Sequence, residues 1–147
     1  MKRKTIRNKL GIKAKLSREL PLNNEEQKKY IKTLHKKCWK LMSDKVRERD
    51  RYKCFTCGKV GEPKKMHAGH FMHSSQDFDE RNIHCQCFTC NHMLSGNLAE
   101  YTIKMIELYG IDVVNELRGK KHLPHKYTIK ELNEIFLWLQ QTKLTST

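Results

Sequence analysis

Cys54-Phe55-Thr56-Cys57 and Cys87-Phe88-Thr89-Cys90 are two Cys-x-x-Cys pairs, and Gly58 directly follows the first as a tight knuckle often requires. Each short loop turns both of its sulfurs toward one point, so four thiolates in two such pairs suit one tetrahedral structural zinc ion. Between the pairs stand His67, His70, His73, Asn82 and His84. A purely structural zinc has no need of so many further ligands and proton carriers. An imidazole, with its ordinary pKa near neutrality, is well suited to take a proton from water. The cysteines therefore read as a brace around a second centre that does chemistry.

The order of these residues narrows that chemistry. His70 lies in an extended piece, Asn82 follows twelve residues on, Cys87 five after that, and Cys90-Asn91 opens a helix. This pattern resembles the HNH, or ββα-metal, nucleases, in which a hairpin and a helix clasp one catalytic divalent ion. It is similar more closely to phage recombination endonucleases of the lambda NinG (Rap) type. That resemblance is carried by Ala68-Gly69-His70-Phe71, Asn82-Ile83-His84, Gln86-Cys87, Cys90-Asn91 and Leu94-Ser95-Gly96-Asn97 running on into Glu100-Tyr101, within about residues 50–120. It implies hydrolysis of DNA phosphodiesters at branched recombination intermediates such as Holliday junctions and D-loops. His70 then matches the general base, Asn82 the residue that holds the hairpin and orients the base, and Asn91 a helix ligand to catalytic Mg²⁺ or Mn²⁺. Such an ion stabilises charge developing on the phosphate and the leaving oxygen.

One position departs from the pattern. The residue before the general base is often a metal-binding Asp or His, and here it is Gly69. Strand alternation puts residues 67 and 69 on one face, so His67 is one candidate for the missing ligand. His84, two past Asn82, is a second candidate, for the catalytic group as well as for the metal. The other histidines read more plainly: His73 as an exposed loop residue, His92 as a helix-surface residue, and His35, His122 and His125 as surface groups. Cys38 and Cys85 read as core, Trp39 and Trp138 as core rather than base-stacking platforms, and Ser95 and Asn97 as turn and helix-cap residues.

The elements that must position this centre are legible around it. Asn23-Asn24-Glu25-Glu26 looks like a helix start, and Ile31, Leu34, Cys38, Leu41, Met42 and Val46 recur at helical spacing. A long amphipathic helix is expected over 23–50, with Lys28, Lys29, Lys32, Lys36, Lys37, Lys40 and Arg47 on its other face to lie along phosphates. Lys64 and Lys65, just before the strand around His67–Met72, could grip the backbone of the cut strand. Periodicity predicts a helix from Leu98 to Tyr109, a short one over Asp112–Arg118 and, after the capping-box pattern at Thr128–Glu131, a last one bearing Leu132, Ile135, Phe136 and Leu139. The expected class is α+β, mostly helical: a basic flexible arm at 1–22, the helix at 23–50, a zinc-braced HNH-like ββα-metal core at 51–120, and a C-terminal helix within 121–147 that packs on the core or forms a dimer interface.

Charge points to the same partner. Of the chain's 147 residues, 1–53 carry nineteen Lys/Arg against six Asp/Glu, while 54–147 carry eleven against ten. Such asymmetry suits a polyphosphate, whose counterions are released as lysines neutralise it. No run approaches the roughly 18 apolar residues of a membrane span. The basic N-terminus is followed by no apolar signal core, so the expected compartment is reducing, the cytoplasm of a bacterial host carrying a phage or prophage. The sequence thus predicts a DNA endonuclease, with a homodimer and other phage recombination proteins as candidate assemblies. The competing expectation is a non-catalytic zinc DNA-binding accessory protein, for which Gly69 is the main argument.

Overall fold

A computed structural model describes residues 23–73, 76–123 and 125–142. The basic arm expected at 1–22 lies outside them. Helix α1 (Asn24–Arg49) starts where the sequence places it, because Asn23 Oδ1 accepts from the Glu26 amide at 2.9 Å while the Glu26 carboxylate accepts from the Asn23 amide. Its four-residue repeat of Leu34, Cys38, Met42 and Val46 is fully buried. That stripe packs against α4 (Ile129–Gln141), chiefly Leu132 and Leu139, together with Ile83. The apolar stripe of α4 is therefore used within the chain. Cys38 lies in this core, its thiol 3.4 Å from the Leu132 carbonyl.

The sheet has two antiparallel strands, β1 (Met66–His70) and β2 (Ile83–Cys87), paired Met66 to Cys87 through His70 to Ile83. Alternation gives the hairpin two faces. Ala68, Ile83 and Cys85 share one face with His70, while His67, Gly69, His84 and Gln86 share the other. Arg49, at the end of α1, donates to the carbonyls of Glu80 and Ile83 and pairs with Asp50, whose carboxylate accepts from the Cys85 amide. This buried network locks α1 to the hairpin, and sequence periodicity gave no sign of it.

After β2 the helix expected to open at Cys90-Asn91 is a single π-helical turn, Thr89–Met93. Helix α2 (Leu98–Tyr109) begins only after the Ser95-Gly96-Asn97 turn, in which all three residues have positive φ. Asn97 precedes α2 but does not cap it through its side chain, which instead donates toward Cys90 Sγ at 3.8 Å. Gly110 ends α2, and α3 (Ile111–Gly119) folds back so that Tyr101, Met105, Val114, Leu117 and Phe71 form a separate core. The protein is α+β with helices predominating. Among the described residues no helix is long and apolar enough to cross a membrane.

Candidate functional site

Cys54, Cys57, Cys87 and Cys90 converge: their sulfurs all lie within 4.8 Å of one another, a grouping that can hold a metal ion such as zinc. Backbone hydrogen bonds shape the first knuckle, with the Gly58 amide donating to the Cys54 carbonyl and the Cys54 amide to Lys59, both at 2.8 Å. Gly58 needs its positive φ of 76° to close that turn. The Phe55 amide then donates to the Cys85 carbonyl, binding the knuckle to β2. Burial raises the Cys54 thiol, but the Cys57 amide and the Thr56 hydroxyl outweigh it and hold the group down to about 6. Burial and the neighbouring thiols push Cys57 up to about 12. A set in which Cys54 ionises readily while Cys57 and Cys90 resist is what crowded thiols do until a cation neutralises them. Cys85 stands outside the group, buried on the α1 side of the sheet.

On that side, His70 lies flat against Trp39, ring centroids 4.7 Å apart and planes 14° from parallel. Its Nε2 is 3.1 Å from Asp77 Oδ1, an ion-pair distance, though not aligned as a hydrogen bond. The other oxygen of Asp77 meets His35 Nε2 at 3.0 Å. Burial alone would raise Asp77, but the two imidazoles, His70 foremost, bring it below the usual carboxylate range. Lys32, His35, Lys36 and Trp39 of α1 line one open cleft with His70 and Asp77. His35, expected to be a surface group, thus shares Asp77 with the candidate base, and Trp39 is the stacking floor of His70. Asp77 was missed altogether. Asp77, Asp79 and Glu80 follow one another closely, and no spacing rule selects the one that turns inward; Asp79 instead caps a short turn and pairs with Arg81.

Asn82 is fully buried and ties the loop to the strands: Oδ1 accepts from the Met72 amide and Nδ2 donates to the Met72 carbonyl, each at 2.8 Å. The Phe71 amide also donates to the Asn82 carbonyl. His70 is therefore presented at the very end of a strand whose exit is fixed by Asn82.

On the opposite face, position 69 points at Asn91. A Cβ placed on Gly69 would come within 2.9 Å of Asn91 Oδ1 and would collide with Gln86 Oε1. His84 shares this face but is unavailable to a metal, which corrects the expectation for it. Its Nδ1 and Nε2 lie 3.1 and 3.2 Å from the hydroxyls of Tyr101 and Tyr109, and its ring stacks on Phe55. Burial pushes its pKa down to about 3, helped by the nearby Arg49 charge, so the ring is neutral. His67 is half-buried, edge-on to His92 at 4.9 Å, and its pKa is lowered by burial and by His92.

The basic residues sort in the same way. Lys28, Lys29, Lys32, Lys36 and Lys40 are exposed along α1, with Lys40 pairing to Asp44. Lys37 is half-buried on the same helix. Arg47 is no free phosphate ligand: it is held by the carbonyls of Ser43, Pro63 and Met66 and by Asp44. Lys64 and Lys65 are exposed beside β1, Lys65 pairing with Glu62 at 3.0 Å.

A helical α+β protein with a four-cysteine group able to hold a metal beside a two-stranded sheet is the class that fold and site define. The chain belongs to the family described as Bacteriophage Lambda NinG protein, which matches it over residues 2–145. It is 40% identical over 101 residues to protein ninG of Salmonella phage P22, covering 65% of this chain and 49% of that protein. Protein ninG of Escherichia phage lambda is 38% identical over 101 residues, 65% of this chain and 48% of its own. The matched region thus spans about half the length of these relatives. No solved structure matches the chain.

Proposed function

We propose that this protein is a metal-dependent DNA endonuclease that hydrolyses phosphodiesters at branched recombination intermediates. The observation that carries the reading is the cleft in which His70 is clamped between Trp39 and Asp77, with Lys32 and Lys36 on its rim. With the Asp77 carboxylate facing Nε2, a ring proton belongs on that nitrogen, and Nδ1 is the one placed to accept a proton from water. Lysines on the rim attract the phosphate backbone to that nitrogen. The four cysteines hold structural zinc and fix β2, whose partner strand ends at His70. On the other face, amide oxygens gather at Gly69, and such hard donors fit Mg²⁺ or Mn²⁺, with Asn91 the residue to hold it. A divalent ion bound there supplies electrostatic stabilisation of the charged transition state.

A four-way DNA junction incubated with purified, zinc-loaded protein and Mn²⁺ or Mg²⁺ tests the reading. Wild type should nick it, and His70→Ala should bind it equally while cutting about 10²- to 10⁴-fold more slowly. The second reading, a zinc DNA-binding accessory protein without catalysis, is favoured by the lack of any second His, Cys, Asp or Glu cluster with metal-ligand spacing among the described residues. It prevails if wild type binds junctions but never nicks them with either metal at any pH from 6 to 9.

A further inference from the structure

The residue that fills position 69's missing side chain lies on the opposite strand. Gln86 is fully buried, and its amide is oriented by what it donates to: Nε2 reaches the Gly96 carbonyl at 2.8 Å and Thr56 Oγ1 at 3.3 Å. Exchanging the amide's oxygen and nitrogen would set oxygen against the Gly96 carbonyl, so the orientation is fixed. Oε1 is thereby driven toward Gly69, where it has no hydrogen-bond donor. A buried acceptor without a partner is costly and calls for a proton or a cation. Asn91 Oδ1 lies at the same point, within 2.9 Å of where a Gly69 Cβ would stand. Gly69 has no positive φ, so it is space and not backbone conformation that excludes a side chain there. An acid at 69 and Gln86 in its present place are alternative occupants of one volume.

We infer that Gln86, through Oε1, supplies the ligand that Gly69 cannot, and with Asn91 Oδ1 forms a site for a hard divalent cation, Mg²⁺ or Mn²⁺. Neutral amide oxygens bind such ions less tightly than carboxylates, so the site is one that charge should improve. The inference rests on the nuclease reading for the ion's role but not for its binding.

The test is a Mn²⁺ titration of the whole zinc-loaded chain without DNA, read as loss of the free-ion electron paramagnetic resonance signal. Wild type should bind one Mn²⁺ beyond the zinc. Gln86→Leu should weaken it by about tenfold or more. Gln86→Glu, the same shape with a charge, should tighten it by about tenfold, and Gly69→Asp combined with Gln86→Ala should restore binding to Gln86→Ala. Wild type binding no Mn²⁺, or Gln86→Leu and Gln86→Glu both binding it as wild type does, would overturn the inference and leave Oε1 to an ordered water. If Gln86→Leu fails to fold, Gln86→Glu decides alone: a buried carboxylate with no cation would lower the melting temperature, and Mn²⁺ would not rescue it. Mn²⁺ bound through Gln86 with no cleavage of any DNA sinks the nuclease reading and keeps the ligand. Cleavage with Mn²⁺ affinity indifferent to Gln86 does the reverse.

Discussion

At the residue scale, the candidate base owes its orientation to groups on two other segments. Asp77 meets His70 on one oxygen and His35 on the other, and a carboxylate shared by two imidazoles is held by both. Asp77→Asn keeps the shape and removes the charge. Cleavage should fall by about ten- to hundredfold with junction affinity unchanged, whereas a merely structural role would lower melting temperature and binding together. His84 makes a different prediction. Its folded pKa, about 3, lies below the ordinary value of 6.5. The unfolded chain therefore takes up a proton that the folded one refuses as pH falls through that window. Stability from this group is full above pH 6.5 and is lost progressively toward pH 3, at most ~1.4 kcal/mol per pH unit. Denaturant midpoints measured across the window should fall with acid in wild type and fall less steeply in His84→Gln. Equal slopes would mean that the ring is not buried neutral.

At the element scale, α1 does two things at once. Its buried face joins α4 through Leu34, Cys38 and Met42, and its exposed lysines run past the cleft where His35 and Trp39 meet His70. A duplex lying on those lysines would pass over the base. Lys32→Ala with Lys36→Ala should reduce the slope of log affinity against log salt by about one per lysine. Arg47→Ala should instead destabilise the protein, because Arg47 holds the carbonyls of Pro63 and of Met66, the first residue of β1. Fluorescence anisotropy at several salt concentrations, with melting curves beside it, separates the two outcomes.

At the scale of the whole molecule, three small cores share the work. One joins α1 to α4, one surrounds the cysteines with Met66 and Cys85, and one joins α2 to α3 around Phe71. The middle one contains little apolar carbon, and a metal held by its four thiols would add the stability that apolar burial there does not supply. Chelation should release one zinc per chain, lower the melting temperature and abolish cleavage, while much of the helical circular dichroism from α1 and α4 persists. Unchanged melting after zinc is removed, with metal content measured by mass spectrometry, would contradict a structural role for the thiols.

The sequence by itself determined what local chemistry can specify. The Asn23–Glu26 and Thr128–Glu131 boxes start their helices because capping is settled within four residues. The four cysteines gather because a Cys-x-x-Cys loop turns both sulfurs one way. Strand alternation put 67 and 69 on one face correctly, and the pairing of Gly69 with His84 across the hairpin brought 84 to the same face. Only the tertiary structure decided which of them could meet a ligand. His84 faces two tyrosines brought by α2, and Gln86, given no ligand role by the sequence, takes the space that Gly69 leaves. His70 finds Asp77 across a loop and Trp39 on a helix thirty-one residues before it. These meetings depend on how separate elements pack, and packing between distant segments leaves no periodic trace in the chain.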